Sequence, residues 1–270
     1  MPRYDIDRLD NRDPERIRLA YQLISPVLRW YFRPVIRGIE RIPDGPGLYV
    51  GNHNGGIMTF DSFTLFAEIY RQRGLSDVPY GLGHEVAIAL PVFREIVIPL
   101  GAIRASHETA HAAFLAGHKV LVYPGSDYDA FRPYRDRNRI VFGPRRGYVR
   151  LALRERVPII PIVTAGAHEV LYILSDGRTL ARWLPLAKLI RAKAWPIALT
   201  FPWGLTIGPP PPYIPRRSQF FQEVLEPIRF ERDGAEAASD DDWVEACHQR
   251  VLGTMQEAMD RLARERERAS

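Results

Sequence analysis

Short apolar runs punctuated by glycine and proline set the frame for this chain. LYVGN at 48–52, KVLVY at 119–123 and IIPIVT at 159–164 have the length and β-branched content of buried strands, and KVLVY stops at Pro124-Gly125. VPYGLG can supply another strand, and PVFREIVIPLGAI holds a further one. Helical stretches fall between them: 61–73, 106–117 with Ser106 as N-cap and Gly117 as its stop, and 145–156. Strand and helix alternate without an internal repeat or a visible boundary. The expectation is one α/β domain over 1–270, with a mixed, mostly parallel sheet flanked by helices over 38–232.

The two ends read as helices. Residues 14–37 open at Pro14 and carry a broad apolar stripe with Trp30 and Tyr31, while Arg16, Arg18, Arg29, Arg33 and Arg37 supply charge. Pro26 and Pro34 should kink or interrupt the segment. Such a helix suits a membrane interface, and equally suits packing on its own domain. Residues 239–266 form a C-terminal helix capped by Ser239, with Val244, Cys247, Val251, Met255, Met259 and Leu262 on one face. RLARERERAS should fray. PWGLTIGPPPPYIP reads as an ordered surface loop, and SQFFQEVLEPIRF is ambiguous between strand and helix.

Composition narrows the function classes. The single cysteine, Cys247, permits no internal disulfide. No run of about 18 uncharged apolar residues is present, and MPRYDIDRLDNRDPER does not read as a signal peptide. The formal charge of +5 suits an anionic partner such as phospholipid, coenzyme A or nucleic acid. No zinc spacing, Walker-type loop or RNA-binding aromatic signature occurs, so nucleic acid is not expected. His107, His111 and His118 carry no paired acids and read as solvated; no metal is expected.

HNGGIMTFD, residues 53–61, carries the chemistry. His53 follows a strand and precedes a helix, in a loop that Gly55 and Gly56 free to turn. Imidazole is a suitable general base when a carboxylate fixes its tautomer. On a continuous helix Asp61 would lie about 12 Å along the axis from His53, so the two meet only if GGIMT folds back. Asp61 could equally cap the helix that follows. Asp127 and Asp129 are alternative orienters. His84-Glu85 and His168-Glu169 read as structural pairs or as lining of a substrate site.

Four blocks in this order resemble the glycerolipid acyltransferase family, the relatives of bacterial 1-acylglycerol-3-phosphate acyltransferase. They are His53 to Asp61, the Gly101–Arg104 stretch, Tyr123-Pro124-Gly125-Ser126-Asp127, and Val157-Pro158-Ile159-Ile160-Pro161-Ile162. The family pattern runs NHxxxxD, a GxxxxxR-like stretch, FPEGTRS and VPIIPV. Two departures stand out: seven residues rather than four separate His53 from Asp61, and Gly125 stands where FPEG has glutamate. YPGSDYDAF looks more like the PGG variant of the diacylglycerol acyltransferase-like branch.

The resemblance implies acyl transfer from acyl-CoA or acyl carrier protein to a glycerolipid hydroxyl, with 1-acylglycerol-3-phosphate or a related lysophospholipid as acceptor. His53 would be the base and Asp61 its orienter, with no acyl-enzyme and no cofactor beyond the thioester co-substrate. Arg104 would grip a phosphate, and Gly125, Ser126 and Asp127 would line the substrate site. A peripheral location on the cytoplasmic face of a membrane follows as an expectation. A non-catalytic lipid-binding scaffold and a lipid thioester or ester hydrolase are the rival readings.

Overall fold

The structure, a computed structural model, describes residues 4–83, 88, 91–184 and 193–269. His84-Glu85 lies outside the described residues. In chain order the main elements are α1 (Pro14–Phe32), β1 (Val35–Arg37), β2 (Gly47–Gly51), α2 (Phe60–Arg73), β3 (Tyr80–Gly83), α3 (Pro91–Val97), β4 (Ala102–Arg104), α4 (His107–Leu115) and β5 (Lys119–Val122). They continue with α5 (Asp127–Ala130), α6 (Gly147–Glu155), β6 (Ile159–Ala165), β7 (Tyr172–Ser175), α7 (Arg178–Trp183), β8 (Ile197–Thr200), β9 (Gly204–Ile207), β10 (Phe221–Val224), α8 (Gly234–Ser239) and α9 (Asp241–Ala269).

The fold is α/β, and the mostly parallel sheet expected from the sequence is present. Seven strands run in the order β1-β10-β6-β2-β5-β3-β4, and only the β10–β6 pairing is antiparallel. A parallel sheet buries both faces, which is why β2 and β6 are apolar throughout rather than alternating with polar residues. Alternate residues still serve opposite layers. Leu48, Val50, Val120, Ile159 and Val163 pack against α4, α6 and α9, while Tyr49, Leu121, Ile160 and Ile162 pack against Leu65 and Ile69 of α2. A second sheet, β7-β8-β9, is antiparallel.

Several boundaries differ from the expectation. The first helix ends at Phe32 rather than 37: Arg33 takes a left-handed φ of 44° as its C-cap and Pro34 prevents continuation, so 35–37 become an edge strand. Pro26 sits inside α1 without ending it. The stretch 91–104 holds a helix and a strand, not a strand alone. Part of the Pro-rich loop is strand β9, and the ambiguous 218–230 segment is strand β10. Asp240, not Ser239, caps the last helix, accepting the N–H of Trp243 at 3.0 Å; Ser239 ends α8 and donates to the Ala235 carbonyl.

The expected face of α9 is buried as read, Cys247 included. Its C-terminal turns do not fray, because Arg266 makes a bidentate pair with Glu169 at 2.6 and 2.7 Å.

Candidate active site

Parallel strands bring their C-terminal ends to one side of a sheet, and the loops there converge. β2 leads into His53, β5 into Ser126, and β6 into Gly166 and His168, while β4 leads into Ala105–His107. Between the loops after β2, β4 and β5 lies a cavity of about 680 Å³. His53, Ser126 and Asp127 line it, together with the apolar side chains of Ile57, Leu82, Val122, Phe131 and Leu151. Its size falls among small-molecule sites, which span roughly 300–1,000 Å³.

The His53 loop is held from below by a buried polar network. Asn52 donates to the Thr164 carbonyl at 3.1 Å and accepts the Thr164 N–H at 2.9 Å, which locks the loop to β6. Asn54 donates to Asp61 at 2.9 Å and accepts from Arg132 at 2.9 Å. Arg132 also donates to the His53 carbonyl at 2.8 Å and to the Asp129 carboxylate at 2.9 Å. Asp129 in turn accepts the His53 N–H at 2.6 Å and the Val141 N–H at 3.1 Å. His168 accepts the Gly55 N–H at 3.2 Å and hydrogen-bonds the Arg132 carbonyl at 2.8 Å through its other nitrogen, which must therefore carry the proton.

Gly55 and Gly56 both have positive φ, 61° and 78°, and a Cβ on Gly55 would lie 2.4 Å from Val170. The double glycine is what lets the loop fold back over β6.

The sequence-derived residues fall as follows. His53 is in the loop after β2 and Asp61 in the first turn of α2 that follows, but Asp61 is buried and bonded to Asn54, while the His53 Nδ1 is buried with no hydrogen-bond partner among the described residues. Asp61 is not the helix cap either; Thr59 occupies that position. The imidazole stacks obliquely on Tyr123, ring centroids 4.9 Å apart. Burial, then the Arg132 charge, push its pKa down to about 4, so it is neutral at pH 7. Burial raises Asp61 and Asp129 each to about 6.

Asp127 receives Arg145 at 2.8 Å and the Lys193 N–H at 2.7 Å. Arg104 lies on edge strand β4, ion-paired to Asp7 at 2.8 Å, and is not among the cavity-lining residues although Ala105, Ser106 and His107 are.

Gly125 explains its own identity. A Cβ there would come within 2.3 Å of the Asp129 Cβ and 2.5 Å of the Val141 carbonyl oxygen. The volume that a glutamate would need is filled by Asp129, four residues on. Ser126 adopts φ 46°, ψ −126°, an unusual backbone for a non-glycine residue, at the turn from β5 into α5.

Some residues were not singled out from the sequence. Arg132 sits in an arginine-rich stretch with nothing to separate it from its neighbours, and Asn52, Asn54 and Thr164 carry no motif of their own. Their common signal is a pair of asparagines flanking a histidine directly after a buried strand, where side-chain amides replace ladder hydrogen bonds. His168 proves structural, as does Glu169, which pairs with Arg137 and Arg266. His111, expected to lack an acid, contacts Glu155 at 2.6 Å across α4 and α6.

Known proteins agree with this architecture. The chain is 29% identical over 200 residues to an uncharacterized protein of Mycobacterium tuberculosis, covering 70% of this chain and 56% of that protein. It is 28% identical over 227 residues to the Bos taurus protein named "DGAT1/2-independent enzyme synthesizing storage lipids", covering 83% and 62%. The chain thus matches somewhat more than half the length of these relatives. Its fold is similar to that of the 1-acyl-sn-glycerophosphate (LPA) acyltransferase PlsC from Thermotoga maritima, with a TM-score of 0.51, 16% identity, and 89% of this chain and 79% of that one covered. Residues 33–165, which hold the His53 loop, the Gly125–Asp129 turn and Arg132, match the model of the Acyltransferase family.

Proposed function

We propose that this chain transfers a fatty acyl group from an acyl thioester, acyl-CoA or acyl carrier protein, to a glycerolipid hydroxyl. The observation that carries the reading is His53 on the wall of an apolar cavity, within the residues that match the Acyltransferase family. His53 takes the acceptor hydroxyl proton as its oxygen attacks the thioester carbonyl, and returns that proton to the sulfur as the C–S bond breaks, the tetrahedral intermediate collapses and the thiol leaves. The turn after β5 faces the same cavity. There the Ser126 N–H is committed to the Tyr123 carbonyl at 3.1 Å, so the proposal places the oxyanion on the Asp127 N–H.

Asp61 is proposed as the carboxylate that compensates the imidazolium, after leaving Asn54 or acting through it. Arg104 is proposed as the phosphate ligand for a lysophosphatidate-type acceptor, with Asp7 now holding the place of that anion. The relatives' lipid-synthesizing name and the apolar cavity both support a lipid acceptor.

We further propose a peripheral location on the cytoplasmic face of a membrane. α1 turns Leu19, Leu23, Val27 and Trp30 outward along one stripe, while Ile17 and Phe32 pack inward. All three arginines of α1, Arg16, Arg18 and Arg29, already hold carboxylates, as does Arg37 in β1, so the apolar stripe contributes more than charge. Tyr31 is partly withdrawn, donating to the Pro215 carbonyl at 2.6 Å. Among the described residues no helix is long and apolar enough to cross a membrane.

Radiolabelled acyl-CoA offered with lysophosphatidate, monoacylglycerol or water alone tests the activity. Labelled glycerolipid supports transfer, free fatty acid alone identifies a hydrolase, and no turnover identifies a binding scaffold.

A further inference from the structure

The small sheet β7-β8-β9 has an unusual outer face. Antiparallel sheets with one face on the core normally present polar residues on the other. Here Ile173 and Ala198 point inward, fully buried against Phe131 behind the His53 cavity. The pairings Leu199↔Leu205 and Ile197↔Ile207 put Leu199, Leu205 and Ile207 together on the opposite face, 46%, 60% and 62% exposed. The β8–β9 turn adds Phe201 and Trp203, and Ile214 pairs with Phe201 through a β-bridge. All three of these side chains are exposed.

We propose that this face and its aromatic turn insert into an anionic lipid bilayer, delivering the bilayer to the mouth of the His53 cavity; the purpose, though not the docking, rests on the lipid acyl transfer proposed above. Four observations select a bilayer as the occupant. First, the Trp203 indole N–H is already satisfied by the Pro212 carbonyl at 2.7 Å, so the ring enters an apolar phase without stranding a donor. Second, exposed Arg216 and Arg217 flank the patch, placing cations where anionic headgroups would lie.

Third, the patch runs on into the α1 stripe. Arg217 lies over the Trp30 ring, 5.4 Å from its centroid, and donates to the Tyr31 carbonyl at 3.3 Å. Fourth, it reaches the active loop: Tyr213, next to Ile214, donates to the Gly55 carbonyl at 2.5 Å, and Ile57 of that loop is exposed at the cavity. Strand-to-strand pairing with a second copy through edge strand β9 would leave the turn, Ile214 and α1 uncovered, which is why a planar apolar phase fits better.

The test uses the full chain and sucrose-loaded vesicles of phosphatidylcholine and phosphatidylglycerol. The triple variant Phe201→Ser, Trp203→Ser, Leu205→Ser, with α1 intact, should lose about tenfold or more in vesicle partitioning while keeping its circular dichroism and sedimentation coefficient. Bromine-labelled acyl chains should quench wild-type tryptophan emission, and Trp203→Phe should remove much of that quenching. If the triple variant unfolds, the Trp203→Phe comparison decides.

Unchanged partitioning by a folded triple variant overturns the proposal, as does quenching unaffected by Trp203→Phe. A wild-type dimer that the triple variant converts to monomer, with vesicle binding unaltered, assigns the face to a second copy instead. Vesicle binding lost with the patch in a protein that transfers no acyl group would sink the enzymatic reading and leave the docking surface standing. Transfer together with patch-independent binding would do the reverse.

Discussion

The carboxylate of Asp129 accepts the backbone N–H of His53 at 2.6 Å and, through its other oxygen, holds Arg132 at 2.9 Å. Both side chains are essentially inaccessible, 0% and 1% exposed. The pair therefore positions the loop that carries His53 rather than the imidazole itself. Asp129→Ala should destabilise the protein by about 3–5 kcal/mol, because it strands a buried guanidinium. Asp129→Asn, which keeps an acceptor, should cost less. Urea unfolding measures both, and equal stabilities for wild type and Asp129→Ala would show that the pair does not hold the loop.

His53→Ala should lower kcat by about 10²–10⁴-fold, the usual contribution of a positioned general base. The side chain is only half-buried and its Nδ1 has no partner among the described residues, so the thermal midpoint should hardly move. A single-turnover assay with acyl-CoA reads the first quantity and calorimetry the second. Wild-type turnover by the variant would remove His53 from the chemistry.

The pH profile should separate base from carboxylate. With its pKa pushed down to about 4, His53 is already neutral across the working range and sets no limb near pH 6. Asp61, raised by burial to about 6, does. If it compensates the imidazolium it must be ionised, so kcat/KM should rise through about pH 6 and flatten above. Asp61→Asn should cost about tenfold at neutral pH and move the acid limb down toward 4. A limb that stays at 6 belongs to Asp129, which burial raises equally.

Stability carries the opposite sign. A carboxyl with its folded pKa raised above 3.8 gives stabilisation that is complete below that value and is lost as pH rises through about 6. Asp61→Asn should flatten that decline.

The layers of the fold were legible because burial writes itself into composition: β2, β5 and β6 are apolar runs, and the α9 stripe repeats with helical period. The His53 loop was legible because two glycines after a strand have few other uses. What could not be read was pairing. Asp61 turns to Asn54, and Asp129 and Arg132 meet beneath the loop, because distant segments converge at the C-terminal ends of parallel strands. Boundaries failed where a single backbone state decided them, as at Arg33, and the exposed sheet went unseen because its apolar residues lie among the six prolines of 202–215.

Gly125 is a packing requirement rather than a vacancy left by a lost glutamate. Its φ is ordinary, so any penalty on substitution comes from space, not strain. Gly125→Ala should destabilise by about 1–3 kcal/mol through overpacking against the Asp129 Cβ and the Val141 carbonyl, and Gly125→Glu by more. The double change Gly125→Glu with Asp129→Gly should recover part of the loss if the two positions share one volume. Thermal unfolding of the three variants checks this, and a double variant no better than the sum of its parts would refute the exchange.

Arg104 offers the sharpest test of the acceptor. Its ion pair with Asp7 joins side chains that are 36% and 43% exposed, and pairs of that kind are worth only about 0–1 kcal/mol. A phosphate, with a larger charge and several acceptor oxygens, should displace the carboxylate readily. The residues that follow Arg104, Ala105 to His107, line the cavity, so a headgroup held at Arg104 can keep its acyl-bearing end inside. Arg104→Ala should then raise the KM for lysophosphatidate several-fold while leaving that for monoacylglycerol nearly unchanged. Asp7→Asn should act in the other direction, lowering the KM for the phosphorylated acceptor by removing its competitor. Steady-state kinetics on both acceptors with both variants give four numbers. Equal effects on the two acceptors would discard the phosphate role and point to a neutral-lipid acceptor, with Arg104 serving only to tie the amino-terminal segment to the edge of the sheet through Asp7.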